Sequence, residues 1–231
     1  MLSIIISTLN EEEGIAKTIC MIPEEIRKTS EVIVVDVSDD FTPIIAQALG
    51  VTVLKEVRKG KGWQMRQAVK QSKGDILIFM DGDGTDPGQY IPKLLKKLEK
   101  ANLVLGCRNR GKLKIKNPKM DQIIQFYGSK IAGQYLSYMF NLDVADPLAG
   151  FRAIRLKDWE ALDLESNGFE IETEMNIKAM QKNFIIKEVL IPNLKRCGGV
   201  QGSKFAKSPK MWVKIYKMIS SYNKERKLKK T

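Results

Sequence analysis

Two aspartates separated by one glycine, Asp81 and Asp83, follow directly on the five apolar residues 76–80. A short apolar run that stops at a turn is typical of a fully buried strand. In open α/β sheets, ligands bind just beyond the carboxyl ends of such strands. Two carboxylates there would suit Mg²⁺ or Mn²⁺, which prefer oxygen ligands and share them with substrate phosphates. By itself the segment is equally consistent with an acidic turn that caps the next helix, since Asp86-Pro87 resembles a helix start.

Acidic and amide side chains also follow two earlier predicted strands. Asn10 and Glu11 come after the strand 3–7, and Asp36 follows the strand 31–35. A strand-end acid can accept hydrogen bonds from ribose hydroxyls. Carboxylates at three strand ends therefore predict a site for a nucleotide and a metal ion.

Two glycine-rich basic segments could supply groups that bind phosphate. Gly60-Lys61-Gly62 could offer backbone N–H groups and an ammonium, and residues 195–208 form a second basic loop. The first turn is a weak signal alone, because a solvated loop is the more common explanation of such a sequence.

The elements that must position these residues alternate between strands and helices. This alternation predicts an α/β fold with a mostly parallel central sheet flanked by helices. The predicted strands are 3–7, 31–35, 51–55, 76–80, 103–105 and 184–191, and the predicted helices are 15–26 (interrupted at Pro23), 43–49, 63–71, 90–100, 123–140 and 168–180.

A basic amphipathic helix is predicted after Pro209. Its apolar positions, from Met211 to Tyr222, recur on one face, and lysines flank that face. Such a helix can lie in a membrane interface and be held by anionic headgroups. The alternative is a helix that docks on the core of its own domain. We therefore divide the chain into a domain of residues 1–207 and a basic helix and tail of residues 208–231.

Composition excludes several functional classes. The chain has 231 residues, a net charge of +12 and no histidine, which rules out histidine-based triads and histidine metal sites. Its three widely spaced cysteines argue against a disulfide framework and favour a reducing cytosolic compartment. No run approaches the ~20 apolar residues of a membrane span, and the N-terminus lacks the pattern of a signal peptide. The positive charge predicts a polyanionic partner, but dispersed lysines and the lack of a binding motif argue against nucleic acid.

The motifs occur in the order LNEEEG, VIVVD, RKGKG, GDILIFMDGDGTDP, GCR, DPLAGFRAIR, GFEIETEM and GSKF. This order resembles family-two glycosyltransferases of the GT-A (Rossmann-like) fold, and within them the dolichol-phosphate (polyprenyl-phosphate) mannose synthase group, over roughly residues 1–207. The resemblance departs at Thr85 and Gln125, where the family often has glutamine and arginine.

The resemblance implies a role for each matching residue. The metal would be held by Asp81 and Asp83. The nucleotide-sugar would be contacted by Thr8, Asn10, Glu11, Asp36, Lys61, Asp81 and Gly82. The acceptor phosphate would be bound by Arg108, Ser129, Arg152, Arg196 and Lys204. The catalytic group would comprise Asp83, Arg108 and Asp146.

The implied reaction is a metal-dependent, inverting transfer of a sugar from a nucleotide-sugar to a polyprenyl or dolichyl phosphate. Mannose from GDP-mannose is favoured, and a UDP-sugar is the second choice. The enzyme would act as a peripheral protein at the cytoplasmic face of an anionic membrane. An acceptor phosphate is already an anion and needs no strong general base, which agrees with the lack of histidine. If the acceptor were a soluble or glycan hydroxyl, a carboxylate base would be required, and Asp146 is the candidate. A turn or helix-cap role for Asp146 is equally consistent with its place before Pro147.

Overall fold

The computed structural model describes residues 1–58, 60–108, 138, 145–198, 213–218 and 220–222. These form one seven-stranded sheet in the order β3-β2-β1-β4-β6-β5-β7. The strands are β1 (Leu2–Thr8), β2 (Ser30–Asp36), β3 (Thr52–Lys55), β4 (Ile76–Asp81), β5 (Leu103–Arg108), β6 (Arg152–Arg155) and β7 (Ile186–Ile191). Only β6 runs antiparallel to its neighbours in this sheet, β4 and β5. The mostly parallel sheet is therefore confirmed.

Helices cover both faces of the sheet. They are α1 (Ile15–Cys20), α2 (Glu24–Thr29), α3 (Thr42–Ala48), α4 (Lys61–Gln71), α5 (Ile91–Leu98), α6 (Leu156–Leu162) and α7 (Ile171–Gln181). One core layer joins the sheet to α1, α3 and α5, and the other joins it to α4, α6 and α7. The second layer includes a ring contact between Phe79 and Trp159, whose centroids are 4.8 Å apart. Burial on both faces explains why the central strands are apolar without alternation.

The strand register brings the predicted site residues to one edge. Thr8 pairs with Asp36 across β1 and β2, and Ser7 pairs with Asp81 across β1 and β4. Because these strands are parallel, their carboxyl ends meet at the same edge of the sheet. The polar residues that follow them lie there together.

The predicted elements agree with the structure except around residue 152. The helix expected over 15–26 is divided at Pro23 into α1 and α2. The strand β6 and the helix α6 were not predicted, because the strand has only four residues and an arginine at each end. The helix predicted over 123–140 and the domain boundary at 207 lie outside the described ranges, save Tyr138.

The C-terminal residues 213–218 and 220–222 are helical. Ile215 is buried, whereas Val213 and Tyr216 are more than half exposed. Within the described helices, none is both long enough and apolar enough to cross a membrane.

Candidate active site

The two aspartates lie where β4 ends in a tight turn. Asp83 accepts hydrogen bonds from the N–H and the hydroxyl of Thr85, at 3.0 and 2.6 Å. The N–H of Asp81 donates to Asp86 Oδ2 at 2.8 Å. Asp86 and Asp83 Oδ1 therefore hold the turn, while the carboxylate of Asp81 and Oδ2 of Asp83 meet charged partners.

Lys61, the first residue of α4, joins Asp81 to a second carboxylate. Its ammonium forms ion pairs with Asp81 and, at 2.6 Å, with Glu172 of α7. Burial alone would lower the pKa of Lys61, but the two carboxylates outweigh it and raise that pKa. Burial would likewise raise the pKa of Asp81, but Lys61, Arg108 and Arg196 outweigh it, and the pKa falls. Lys61 is thus a fixed cation and Asp81 a fixed anion at neutral pH.

Two loops at the ends of β1 and β2 form the predicted nucleoside side. Asp36 is fully buried and accepts from the Thr8 hydroxyl at 2.8 Å and from the Ser38 N–H at 3.1 Å. The N–H of Asn10 donates to Ser38 Oγ, and Asn10 Oδ1 accepts from the N–H of Asp39. These bonds fix the loop after β1 against the loop after β2. Asp36 therefore holds the two loops together through Thr8 and Ser38.

Gln64 of α4 ties the same strand ends together. Its amide donates to Thr8 O at 2.8 Å and to Val35 O at 2.7 Å, and the side chain is buried. Sequence reasoning gave no role to Gln64 or to Glu172. Gly82 completes this side, because a Cβ there would lie 2.6 Å from a methyl group of Thr8.

The predicted acceptor side is built on Arg108 at the end of β5. Its guanidinium binds Asp146 with two bonds, Nε to Oδ2 at 2.6 Å and Nη2 to Oδ1 at 2.9 Å. Burial alone would lower the pKa of Arg108, but Asp146 outweighs it and raises that pKa. Glu188 of β7 accepts from the N–H groups of Ala145 and Asp146, both at 2.9 Å. Asp146 is therefore held from two directions.

Arg152 lies in the interior and does not face an acceptor. It is fully buried, and its guanidinium donates to the carbonyls of Ala149, Pro147 and Glu172 and to Asn176 Oδ1. Burial lowers its pKa. A direct bond from Arg152 to an acceptor phosphate does not fit this geometry, because these protein oxygens engage its Nε, Nη1 and Nη2. Arg152 instead fixes the loop before β6 to α7.

Arg196 reaches the aspartate turn from the loop after β7. It forms ion pairs with Glu11 and, at 3.2 Å, with Asp83. The N–H of the next residue, Cys197, donates to Asp83 O at 3.0 Å. This loop thus lies directly on the turn that carries both predicted metal ligands. The remaining predicted acceptor residues, Ser129 and Lys204, lie outside the described residues.

The aspartate turn has the donor set of a shared metal site. Asp86 is buried beside Asp81 and Asp83, and burial together with their charges raises its pKa well above the usual range. Among the described residues, no group of three or more acidic, cysteine or histidine side chains could hold a metal without help. The two carboxylates therefore fit Mg²⁺ or Mn²⁺ provided that a diphosphate and water supply the other ligands.

Comparison with known proteins decides the family. The model of glycosyl transferase family 2 matches residues 3–162. The chain belongs to glycosyl transferase family 2. This family-two chain is 32% identical over 192 residues to the low-salt glycan biosynthesis hexosyltransferase Agl6 of Haloferax volcanii. The aligned region covers 81% of this chain and 46% of Agl6. It is 27% identical to a dolichyl-phosphate hexose transferase of the same organism, over 89% of the chain and 88% of that relative. The expectation of a family-two glycosyltransferase is thus confirmed.

A solved structure shows the same fold. The family-two chain superposes on glucosyl-3-phosphoglycerate synthase from Mycobacterium tuberculosis, solved with Mn²⁺, UDP and phosphoglyceric acid, with a TM-score of 0.76 and 22% identity. The superposition covers 96% of this chain and 78% of the other. The GT-A fold predicted from the sequence is confirmed.

Proposed function

We propose that this glycosyltransferase moves a hexose, with mannose favoured, from a nucleotide-sugar to a polyprenyl phosphate with inversion. One observation carries the proposal: Lys61 pairs with Asp81 and Arg196 pairs with Asp83, and the charge of Arg108 also lowers the pKa of Asp81. Three cations around two strand-end aspartates can stabilise a diphosphate on one side and an acceptor phosphate on the other. The relative of similar length, which is named for transfer to dolichyl phosphate, supports the acceptor class.

The donor would lie across the loops after β1 and β2. Thr8, Asn10 and Asp36 would position the nucleoside, with Glu11 and Gly82 beside the ribose and Lys61 beside the diphosphate. GDP-mannose is favoured, and a UDP-sugar is the alternative, since the fold relative was solved with UDP. Mg²⁺ or Mn²⁺ on Asp81 and Asp83 would supply Lewis-acid stabilisation of the leaving diphosphate.

The state of Asp146 favours a phosphate acceptor over a hydroxyl. A general base needs a lone pair within reach of the proton it takes. Asp146 is 3% exposed, and Arg108 occupies both of its carboxylate oxygens. An ionised phosphate needs no such base. It would take up the outward side of the Arg108 guanidinium, while Asp146 keeps that side chain oriented.

A lipid-linked acceptor requires the enzyme to work at a membrane surface. We place it as a peripheral protein at the cytoplasmic face, with the C-terminal helix against anionic lipid. Exposed Val213 and Tyr216, together with the exposed Lys217, support this placement, whereas Lys214 pairs with Glu170 at 3.4 Å.

The test is a donor screen with Mn²⁺ and polyprenyl phosphate, read by the mass of the product. We expect an organic-extractable hexosyl phosphate with one GDP- or UDP-sugar, and its loss in Asp83→Asn but not in the exposed control Asp75→Asn. A product that stays in the aqueous phase with a hydroxyl acceptor would overturn the lipid acceptor. Unchanged turnover of Asp83→Asn would overturn the metal assignment.

A further inference from the structure

A groove of about 540 Å³ runs along the exposed edge of the sheet, between α5 and the edge strand β7. We refer to it as the α5–β7 groove. Its lining includes five lysines: Lys93, Lys96, Lys97 and Lys100 at α5, and Lys187 on β7. Two glutamates, Glu99 and Glu188, also line it.

The lysines of this groove lack acidic partners within the described part of the chain. None of them takes part in an ion pair there, although Lys93 lies over the ring of Tyr90. Glu188 is bonded to the N–H groups of Ala145 and Asp146, and its charge and that of Glu99 leave a net charge of +3 among the five lysines and two glutamates of the lining. The groove therefore presents a concentrated positive charge to its surroundings.

The groove also exposes an apolar side chain at its rim. Leu190 of β7 is 62% exposed, and Ile185, just before the strand, is 54% exposed. Lysines around exposed apolar residues on an edge strand can protect the edge from pairing with other chains. They also match the interface of a bilayer, where anionic headgroups meet lysines and apolar side chains enter below them.

The position of the groove decides between these two explanations. Glu188 links its wall directly to the backbone of Asp146, and Asp146 holds Arg108. Asp146 thus connects the wall of the groove to Arg108, the predicted acceptor-phosphate residue. A surface that only protected an edge would have no need to adjoin the acceptor side, whereas a lipid phosphate must enter from a membrane next to it.

We propose that the α5–β7 groove is a docking surface for the anionic headgroups of a membrane and brings Arg108 to the lipid-borne acceptor. The inference rests on the proposed function, since it assumes an acceptor held in a bilayer. It assigns membrane contact to a surface separate in sequence from the C-terminal helix. A lysine near an anionic membrane contributes about fivefold in affinity at moderate salt, so the loss of four lysines should weaken membrane binding strongly.

The test is sedimentation of the full chain with vesicles of phosphatidylcholine, with and without phosphatidylglycerol. The groove variant changes Lys93, Lys96, Lys97 and Lys100 to glutamine. The control variant changes Lys55, Lys70, Lys73 and Lys157 to glutamine. These lysines are exposed outside the groove, so the control loses the same charge. We expect the groove variant to lose more than about tenfold in affinity for phosphatidylglycerol vesicles and the control to lose much less. Replacing the four groove lysines with arginine should preserve binding, because arginine keeps the charge.

Three results would overturn the proposal: equal loss in the groove and control variants, no loss in either, or a loss of single-stranded RNA binding without a loss of vesicle binding. A transfer assay separates this inference from the proposed function. The groove variant should keep wild-type turnover on a short, water-soluble polyprenyl phosphate and lose it on acceptor embedded in vesicles. If no polyprenyl phosphate is used by the wild type, the proposed function fails, while vesicle sedimentation still decides the docking surface.

Discussion

Replacing Lys61 with methionine tests the charge arrangement at the centre of the site. Lys61 is 6% exposed and serves as the shared cation of Asp81 and Glu172. Removing one partner of a buried ion pair costs about 3–5 kcal/mol, because the remaining charge stays buried and uncompensated. That loss is a large part of the roughly 5–15 kcal/mol that keeps a typical domain folded. We expect Lys61→Met to lower the free energy of unfolding by about 3–5 kcal/mol.

The assay is urea unfolding followed by circular dichroism, without nucleotide or divalent metal. At a slope of about 1–3 kcal/mol per molar urea, the midpoint should fall by more than about 1 M. Lys70→Met, an exposed change on the same helix, should stay within about 0.5 kcal/mol of wild type. Adding Glu172→Gln to Lys61→Met should recover roughly 1–3 kcal/mol, because it removes one of the stranded charges.

The result that would refute this reasoning is a Lys61→Met variant as stable as the Lys70→Met control. Lys61 would then be a solvated lysine of a basic turn, which is the alternative that its sequence context also allowed. A destabilised variant that Glu172→Gln fails to improve would instead show that packing of the lysine side chain matters more than its charge.

Three further predictions concern residues that hold the site in place. Gln64→Leu should lower the free energy of unfolding by about 1–3 kcal/mol, because two strand-end carbonyls lose their donor. It should also weaken nucleotide binding measured by calorimetry. Gln71→Leu, an exposed change on the same helix, should have neither effect. Arg152→Met should lower the urea midpoint more than Gln64→Leu does, because several buried oxygens would lose their hydrogen-bond donor. Burial alone would raise the pKa of Glu174, but Lys178 and backbone N–H donors outweigh it and lower that pKa. Glu174→Gln should therefore have a lower free energy of unfolding than wild type, and this difference should be largest above about pH 5. It should shrink as the pH falls below about 4.

The cluster of polar residues at the strand ends was predictable from the sequence. β1, β2 and β4 are short apolar runs, and each ends at, or within two residues of, an acidic or amide residue. Parallel strands place such endings at one edge, and the observed pairing of Thr8 with Asp36 follows that rule. Local patterns were sufficient here because chain order and strand direction already determine which ends meet.

The partners supplied by helices were not predictable in the same way. Glu172 is one of three glutamates at alternate positions in residues 170–174, and nothing local distinguishes the one that meets Lys61, 111 residues earlier. Gln64 likewise reads as an ordinary polar residue of a helix. Arg152 looks like a surface cation until the fold buries it beneath α7. Such roles depend on which helix packs over which strand end, and a single sequence does not contain that distance information.

The aspartate turn shows why two interpretations of one motif need not compete. The sequence allowed either a metal site or an acidic turn that caps the following structure. In the folded chain the capping role is shared by Asp86, which accepts the Asp81 N–H and is buried, and by Asp83 Oδ1, which accepts the Thr85 N–H. The carboxylate of Asp81 and Oδ2 of Asp83 are not used for that purpose. They meet Lys61 and Arg196 instead, and these two cations compensate their charge where a metal and a diphosphate would bind. The turn geometry therefore supports the ligand role rather than replacing it.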